Sequence, residues 1–173
     1  MVYNLNKKAT SASEETNILF DYVINEDTIA ILPGLHTDYD VVVLERDQKL
    51  FVRKPALHII QESCLEYGVS YDGLKKAVKY HTSFRQKLSI PVSIAKDVYM
   101  FPTHATTNHL CGWLSLRHIT QIYPTHKPTR NSKSTWVRLA DGKKLTFQQS
   151  YHTMTEQLSR AVYYRTLMIQ KHA

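Results

Sequence analysis

Eleven Lys and Arg side chains stand between residues 73 and 140 against a single carboxylate, Asp97. Lys75, Lys76, Lys79, Arg85 and Lys87 form one basic run. Lys127, Arg130 and Lys133 form a second, within a Pro/Thr/Ser-rich stretch over residues 124–133. Cations at this density neutralise phosphates, and each contact releases condensed counterions, giving salt-sensitive affinity without base specificity. An arginine on a long loop can do more, because the narrow minor groove of an A-tract concentrates negative potential and draws a guanidinium in. Arg130 is the candidate for that position, flanked by Lys127 and Lys133, with Arg117 and His118 as secondary contacts. Five histidines, His81, His104, His109, His118 and His126, lie in the same section, where each can donate to a phosphate. Tyr71, Tyr80, Phe84 and Tyr123 alternate with the basic groups. Single-strand binders stack bases on such rings, but core and hairpin packing accounts for them first.

Catalytic chemistry has less to work with. Cys64 and Cys111 are the only thiols, and Cys64 falls on an apolar helical face, the usual setting of an inert buried cysteine. His104, His109 and Cys111 mix nitrogen and sulfur ligands within eight residues, yet the paired halves of a structural zinc site are missing. No phosphate-binding glycine motif occurs, and no two carboxylates are selected by spacing for acid–base work. The expectation is a protein that is not an enzyme and uses neither metal nor cofactor.

The 173-residue chain carries a net charge of +7, but the charge is divided unevenly. Residues 1–72 balance at −6, residues 73–140 at +10 and residues 141–173 at +3. Such asymmetry points to a polyanionic partner, nucleic acid first and an anionic membrane surface second, against the alternative of a merely solvated basic face. Two cysteines are too few for a disulfide scaffold, Met1 to Glu15 has no apolar secretory stretch, and no apolar run approaches the ~20 residues that span a bilayer. A cytoplasmic protein without membrane attachment is expected.

Positioning these residues requires an α+β fold: a single domain over residues 18–173, with short mixed strands in hairpins and a meander, two central helices and a C-terminal amphipathic helix, behind a flexible arm at 1–17. The early strands are expected at Phe20–Ile24, Thr28–Leu32, Asp40–Glu45 and Lys49–Arg53. Pro55 and Gly68 bracket a helix with Ala56, Ile59, Ile60, Cys64 and Tyr67 on one face. Asp72 is the expected cap of a shorter second helix, with Leu74, Ala77, Val78 and His81 inward and Lys75, Lys76 and Lys79 outward. Further strands are expected at Pro91–Ala95, Val98–Phe101, Trp113–Ile122, Ser134–Leu139 and Lys143–Phe147, the last two joined through a type I′ turn at Asp141-Gly142. Thr153 and Glu156 have capping-box spacing at the head of the last helix, whose apolar period takes in Met154, Leu158, Ala161, Val162, Arg165 and Met168.

Several short stretches, in order, carry a resemblance. They are Ser63-Cys64, Gly68-Val69-Ser70-Tyr71-Asp72-Gly73, Met100-Phe101-Pro102-Thr103, Cys111-Gly112-Trp113-Leu114-Ser115, His118-Ile119, Gly142-Lys143, Ser150-Tyr151, and the pattern Gln157, Arg160, Arg165-Thr166. Together they resemble the bacterial competence transcription factors, the ComK family, from about Ile18 to Met168. The chain departs from the family pattern at Gly73-Leu74-Lys75, where an arginine is usual, and at Ala77-Val78, which replaces a Gly-Thr pair and favours helix over loop. The resemblance implies a cytoplasmic, nucleoid-associated activator of DNA-uptake genes. It would bind A/T-rich promoter boxes of double-stranded DNA through the minor groove as a homo-oligomer, with RNA polymerase and a proteolytic adaptor–protease complex as further partners. The alternative is a basic RNA-binding or protein-interaction module without sequence-selective DNA binding.

Overall fold

Strands Thr28–Pro33 (β2), Ile90–Ser93 (β5), Val98–Pro102 (β6) and Trp113–Ser115 (β7) are buried almost throughout and do not alternate. Strands read this way when both faces of their sheet are covered. The computed structural model describes residues 17–125 and 133–172. In it these strands join Ile18–Leu19 (β1), Val41–Glu45 (β3) and Lys49–Val52 (β4) in a seven-stranded sheet of order β1-β4-β3-β2-β7-β6-β5. Only the β1–β4 pairing is parallel among the described strands. On one face lie two helices, Ala56–Glu66 (α1) and Tyr71–His81 (α2), whose Ile59, Ile60, Cys64, Tyr71, Leu74 and Val78 share a core with Ile31, Val43, Met100 and Trp113. On the other lies a three-stranded sheet, Ile119–Pro124 (β8), Thr135–Leu139 (β9) and Lys144–Phe147 (β10). Its Ile122, Val137, Leu139, Leu145 and Phe147 meet Leu32, Leu44, Phe101 and Leu114. The C-terminal helix Tyr151–His172 (α3) puts Met154 and Ala161 into the second core and Tyr164 and Met168 into the first. The class is α+β, as the sequence predicts. Apart from Asn17, the arm expected over residues 1–17 falls outside the described residues.

Side-chain hydrogen bonds explain where the elements differ from expectation. No strand forms over Phe20–Ile24, because its backbone is held by side chains: Ile24 N–H donates to Ser63 Oγ (3.0 Å) and Tyr67 Oη donates to the Ile24 carbonyl (3.0 Å). The single strand expected over Trp113–Ile122 is broken by a 3₁₀ turn at Leu116–His118, where the chain leaves the large sheet for the small one. The β9–β10 turn is not type I′. Gly142 alone of the Asp141-Gly142 pair has positive φ (82°), and Gly142 N–H donates to Leu139 C=O (3.0 Å), making a type I turn closed by a left-handed glycine.

Both later helices start earlier than predicted. Ser70, not Asp72, caps α2 by accepting from Gly73 N–H (3.1 Å), a bond of about 1 kcal/mol. A Cβ at Gly73 would sit 2.9 Å from that same Ser70 Oγ, so the glycine leaves room for the cap. Ser150, not Thr153, accepts from Thr153 N–H (3.1 Å) at the head of α3. Val162 is exposed and Gln157 and Tyr164 are buried, which rotates the buried face of α3 away from the predicted one. α1 ends as expected: Gly68 is left-handed (φ 82°), and Gly68 and Val69 N–H donate back to Leu65 and Cys64 C=O in a Schellman pattern.

Candidate nucleic-acid interface

The inward positions of α2 are Tyr71, Leu74 and Val78, at intervals of three and four, so the positions between them are turned to water. Lys76 and Lys79 are exposed there and make no direct ion pair among the described residues, Lys76 feeling Asp72 only at longer range. Tyr80 is 85% exposed beside them, so of the four aromatics assigned to packing this one stands in solvent, while Tyr71 is buried and Phe84 leans on the core. Lys75 is otherwise engaged: its Nζ lies 2.8 Å from Asp72 Oδ1 and 4.6 Å from the centre of the Tyr71 ring. The lysine hydrogen bond holds the Asp72 carboxyl below the ordinary carboxylate range. The helix runs unbroken through Ala77-Val78, where a loop-forming Gly-Thr pair is replaced.

Arg85 shares its guanidinium with the fold. Its Nη1 donates to the carbonyls of Lys79 (3.2 Å), Thr82 (3.1 Å) and Phe84 (3.0 Å), closing the C-terminal end of α2. Lys87 is half-buried with φ 49°, at the turn into β5. Arg117 is exposed and donates to the Lys96 carbonyl at 3.2 Å. His118 is not available as a contact. It is 5% exposed, with Nε2 2.8 Å from the Glu26 carbonyl, and burial pushes its pKa down despite that bond. Lys133 is exposed at the start of the segment leading into β9, whereas Lys127, Arg130 and His126 lie outside the described residues.

Of the second basic run only Lys133 lies within the described residues, and the fold sets it apart from α2. α2 covers one face of the seven-stranded sheet, and β8 and β9, which flank residues 126–132, cover the other. Sequence reasoning also missed a basic and aromatic group on the small sheet, Trp136, Arg138 and Lys144. The signal was present: β9 alternates buried and exposed over Thr135–Leu139, and the inward Val137 and Leu139 send Trp136 and Arg138 outward. Asp97, the lone carboxylate of the central section, is held by Arg165 through Nε (2.6 Å) and Nη2 (2.8 Å).

Cys64 and Cys111 are free and buried. Burial pushes the Cys64 thiol up to about 12 and raises Cys111 as well, so neither favours the nucleophilic thiolate. Cys111 Sγ bonds the His104 carbonyl (3.4 Å), and His104 Nδ1 pairs with Thr103 Oγ1 (2.8 Å). Among the described residues no group of three His, Cys, Asp or Glu is arranged to hold a metal ion, and no helix is long and apolar enough to cross a membrane.

Comparison with known proteins bears on residues 20–173, which match the family model described as ComK protein. A Bacillus subtilis (strain 168) protein described as "Competence transcription factor" is 30% identical over 150 residues, covering 86% of this chain and 75% of the relative. No solved structure matches. With nearly the whole described fold inside the matched span, the chain belongs to the ComK family.

Proposed function

We propose that this protein is a non-enzymatic, DNA-binding activator of competence genes that recognises A/T-rich promoter boxes through the phosphate backbone and the minor groove. The observation that carries the reading is the exposed lysine face of α2, where Lys76 and Lys79 make no direct ion pair, on a chain whose relative is a competence transcription factor. Two exposed ammonium groups one helical turn apart match the demands of phosphate contact. Lys75 adjoins them on α2, Arg85 offers the guanidinium nitrogens that its carbonyl bonds leave over, and Lys87 is assigned to the same backbone contact. Lys127, Arg130 and Lys133 are assigned to the groove, with Arg130 entering it. Assembly as a homo-oligomer, contact with RNA polymerase and turnover through an adaptor and protease belong to the same reading.

Mobility shifts on an A/T-tract duplex, a G/C-rich duplex and single-stranded RNA, each at two salt concentrations, test it. The A/T duplex should bind tightest and lose affinity steeply with salt. Arg130→Ala should bring A/T and G/C affinities together, whereas Lys76→Ala should weaken both alike and lower the salt slope by about one. Equal binding to all three nucleic acids by the unmodified protein would overturn the reading.

A further inference from the structure

We infer that the outward face of the three-stranded sheet is a second contact surface for the backbone of duplex DNA, separate from α2. The inference rests on the DNA-binding reading above and adds to it a place and a set of residues.

One side of this small sheet is core, through Ile122, Val137, Leu139, Leu145 and Phe147. The period of two therefore commits Gln121, Tyr123, Trp136, Arg138, Lys144 and Thr146 to the other side. Register sets them in two rows across the strands, Tyr123–Trp136–Thr146 and Gln121–Arg138–Lys144. The face holds two cations, two large rings and no carboxylate. The nearest acid in the β9–β10 turn, Asp141, is held by Lys143 at 2.8 Å. Tyr123, Pro124, Trp136, Arg138 and Lys144 line a shallow depression of about 220 Å³.

Trp136 is 37% exposed on this face, and Lys144 Nζ lies 4.8 Å from its ring centre. One surface of the ring is thereby covered by a cation. That arrangement favours duplex backbone over unpaired bases. A base stacking on Trp136 must displace Lys144, whereas a deoxyribose can meet the ring edge while Lys144 and Arg138 meet the flanking phosphates. Gln121, which accepts from Tyr123 Oη, keeps its amide N–H groups for an acceptor oxygen. The rows end beside the paired Pro124 and Thr135. The surface lies across the seven-stranded sheet from α2, so one duplex meets both surfaces only by bending round the fold.

The chain has two tryptophans, and Trp113 is 1% exposed, so acrylamide quenching of fluorescence reports Trp136. With saturating A/T duplex the quenching constant should fall at least about twofold. Arg138→Ala/Lys144→Ala should weaken duplex binding about tenfold near 0.15 M salt and lower the salt slope by about two, with the circular dichroism spectrum unchanged as the sign of an intact fold. Lys76→Ala/Lys79→Ala should leave the protection of Trp136 in place. If duplex binds while Trp136 stays fully quenchable and the double variant keeps its slope, the inference fails and the DNA-binding reading stands. If a single-stranded RNA of the same length protects Trp136 more than duplex does, the inference also fails. If the unmodified protein binds no duplex, both fail.

Discussion

Between residues 17 and 72, cations and polar groups face several of the carboxylates. Arg46 meets Asp27 at 3.2 Å, Lys54 bridges Asp21 (3.0 Å) and Glu62, and Glu45 accepts from Tyr22, Asn25 and Gln48. Burial alone would raise the Glu45 carboxyl, yet those hydrogen bonds leave it lowered. On α2 and the small sheet, Lys76, Lys79, Arg138 and Lys144 make no direct ion pair among the described residues. The difference is one of pairing more than of charge count. The central section also contains paired charges, Lys75 with Asp72 and Asp97 with Arg165, and these hold elements in place. A charge excess becomes a binding surface only where the fold leaves its cations without partners and turned to water.

The largest effect expected from this contrast is on affinity. Lys76→Glu/Lys79→Glu should weaken duplex binding by roughly 100-fold near 0.15 M salt, because two attractive phosphate contacts become repulsive. Asp38→Asn/Asp40→Asn, on the acidic side, should change it by less than about twofold. Fluorescence anisotropy with a labelled duplex measures both, and comparable effects from the two pairs would dissolve the distinction.

Next comes a change in stability without a change in binding. Arg165→Ala should cost about 1 kcal/mol in urea unfolding, since it leaves Asp97 without its bidentate partner at a position where both side chains keep more than a third of their exposure. Duplex affinity should stay within about twofold of the parent. A loss of affinity with unchanged stability would place Arg165 among the DNA contacts.

The smallest effect is pH-dependent. His118 is buried with its pKa below the ordinary 6.5, so folding favours its neutral form. Its contribution is complete above 6.5 and is lost as pH falls from there through the folded value, because the unfolded chain binds the proton more readily. His118→Gln should flatten that limb of the stability profile measured by chemical unfolding between pH 7 and pH 5. An unchanged limb would assign it to other groups, such as His104, which burial also lowers.

Much of the fold was legible because local chemistry and tertiary demand coincide. Pro55 and Gly68 bracket α1, and the apolar period of α2 selects Leu74 and Val78. Expectations failed where a distant partner decided. Ser63 and Tyr67, about forty residues along the chain, take the backbone bonds that Ile24 would need for a strand. Ser70 and Ser150 displaced Asp72 and Thr153 as caps because a cap depends on where the chain turns into the helix, which spacing alone locates within a few residues. Trp136, Arg138 and Lys144 went unread because two stand on one strand and the third on its neighbour, and only pairing unites them.

By itself the sequence determined the concentration of positive charge after Asp72, the class of fold and the family, since charge, periodicity and ordered motifs are properties of the chain. Only the tertiary structure decided which charges remain available. It buried His118 against the Glu26 carbonyl, bound Arg85 to the end of α2, and set the two basic regions on opposite faces of the seven-stranded sheet. The reason is physical: a cation's reach to a ligand depends on its desolvation and its neighbours, and both are fixed by contacts between residues far apart along the chain.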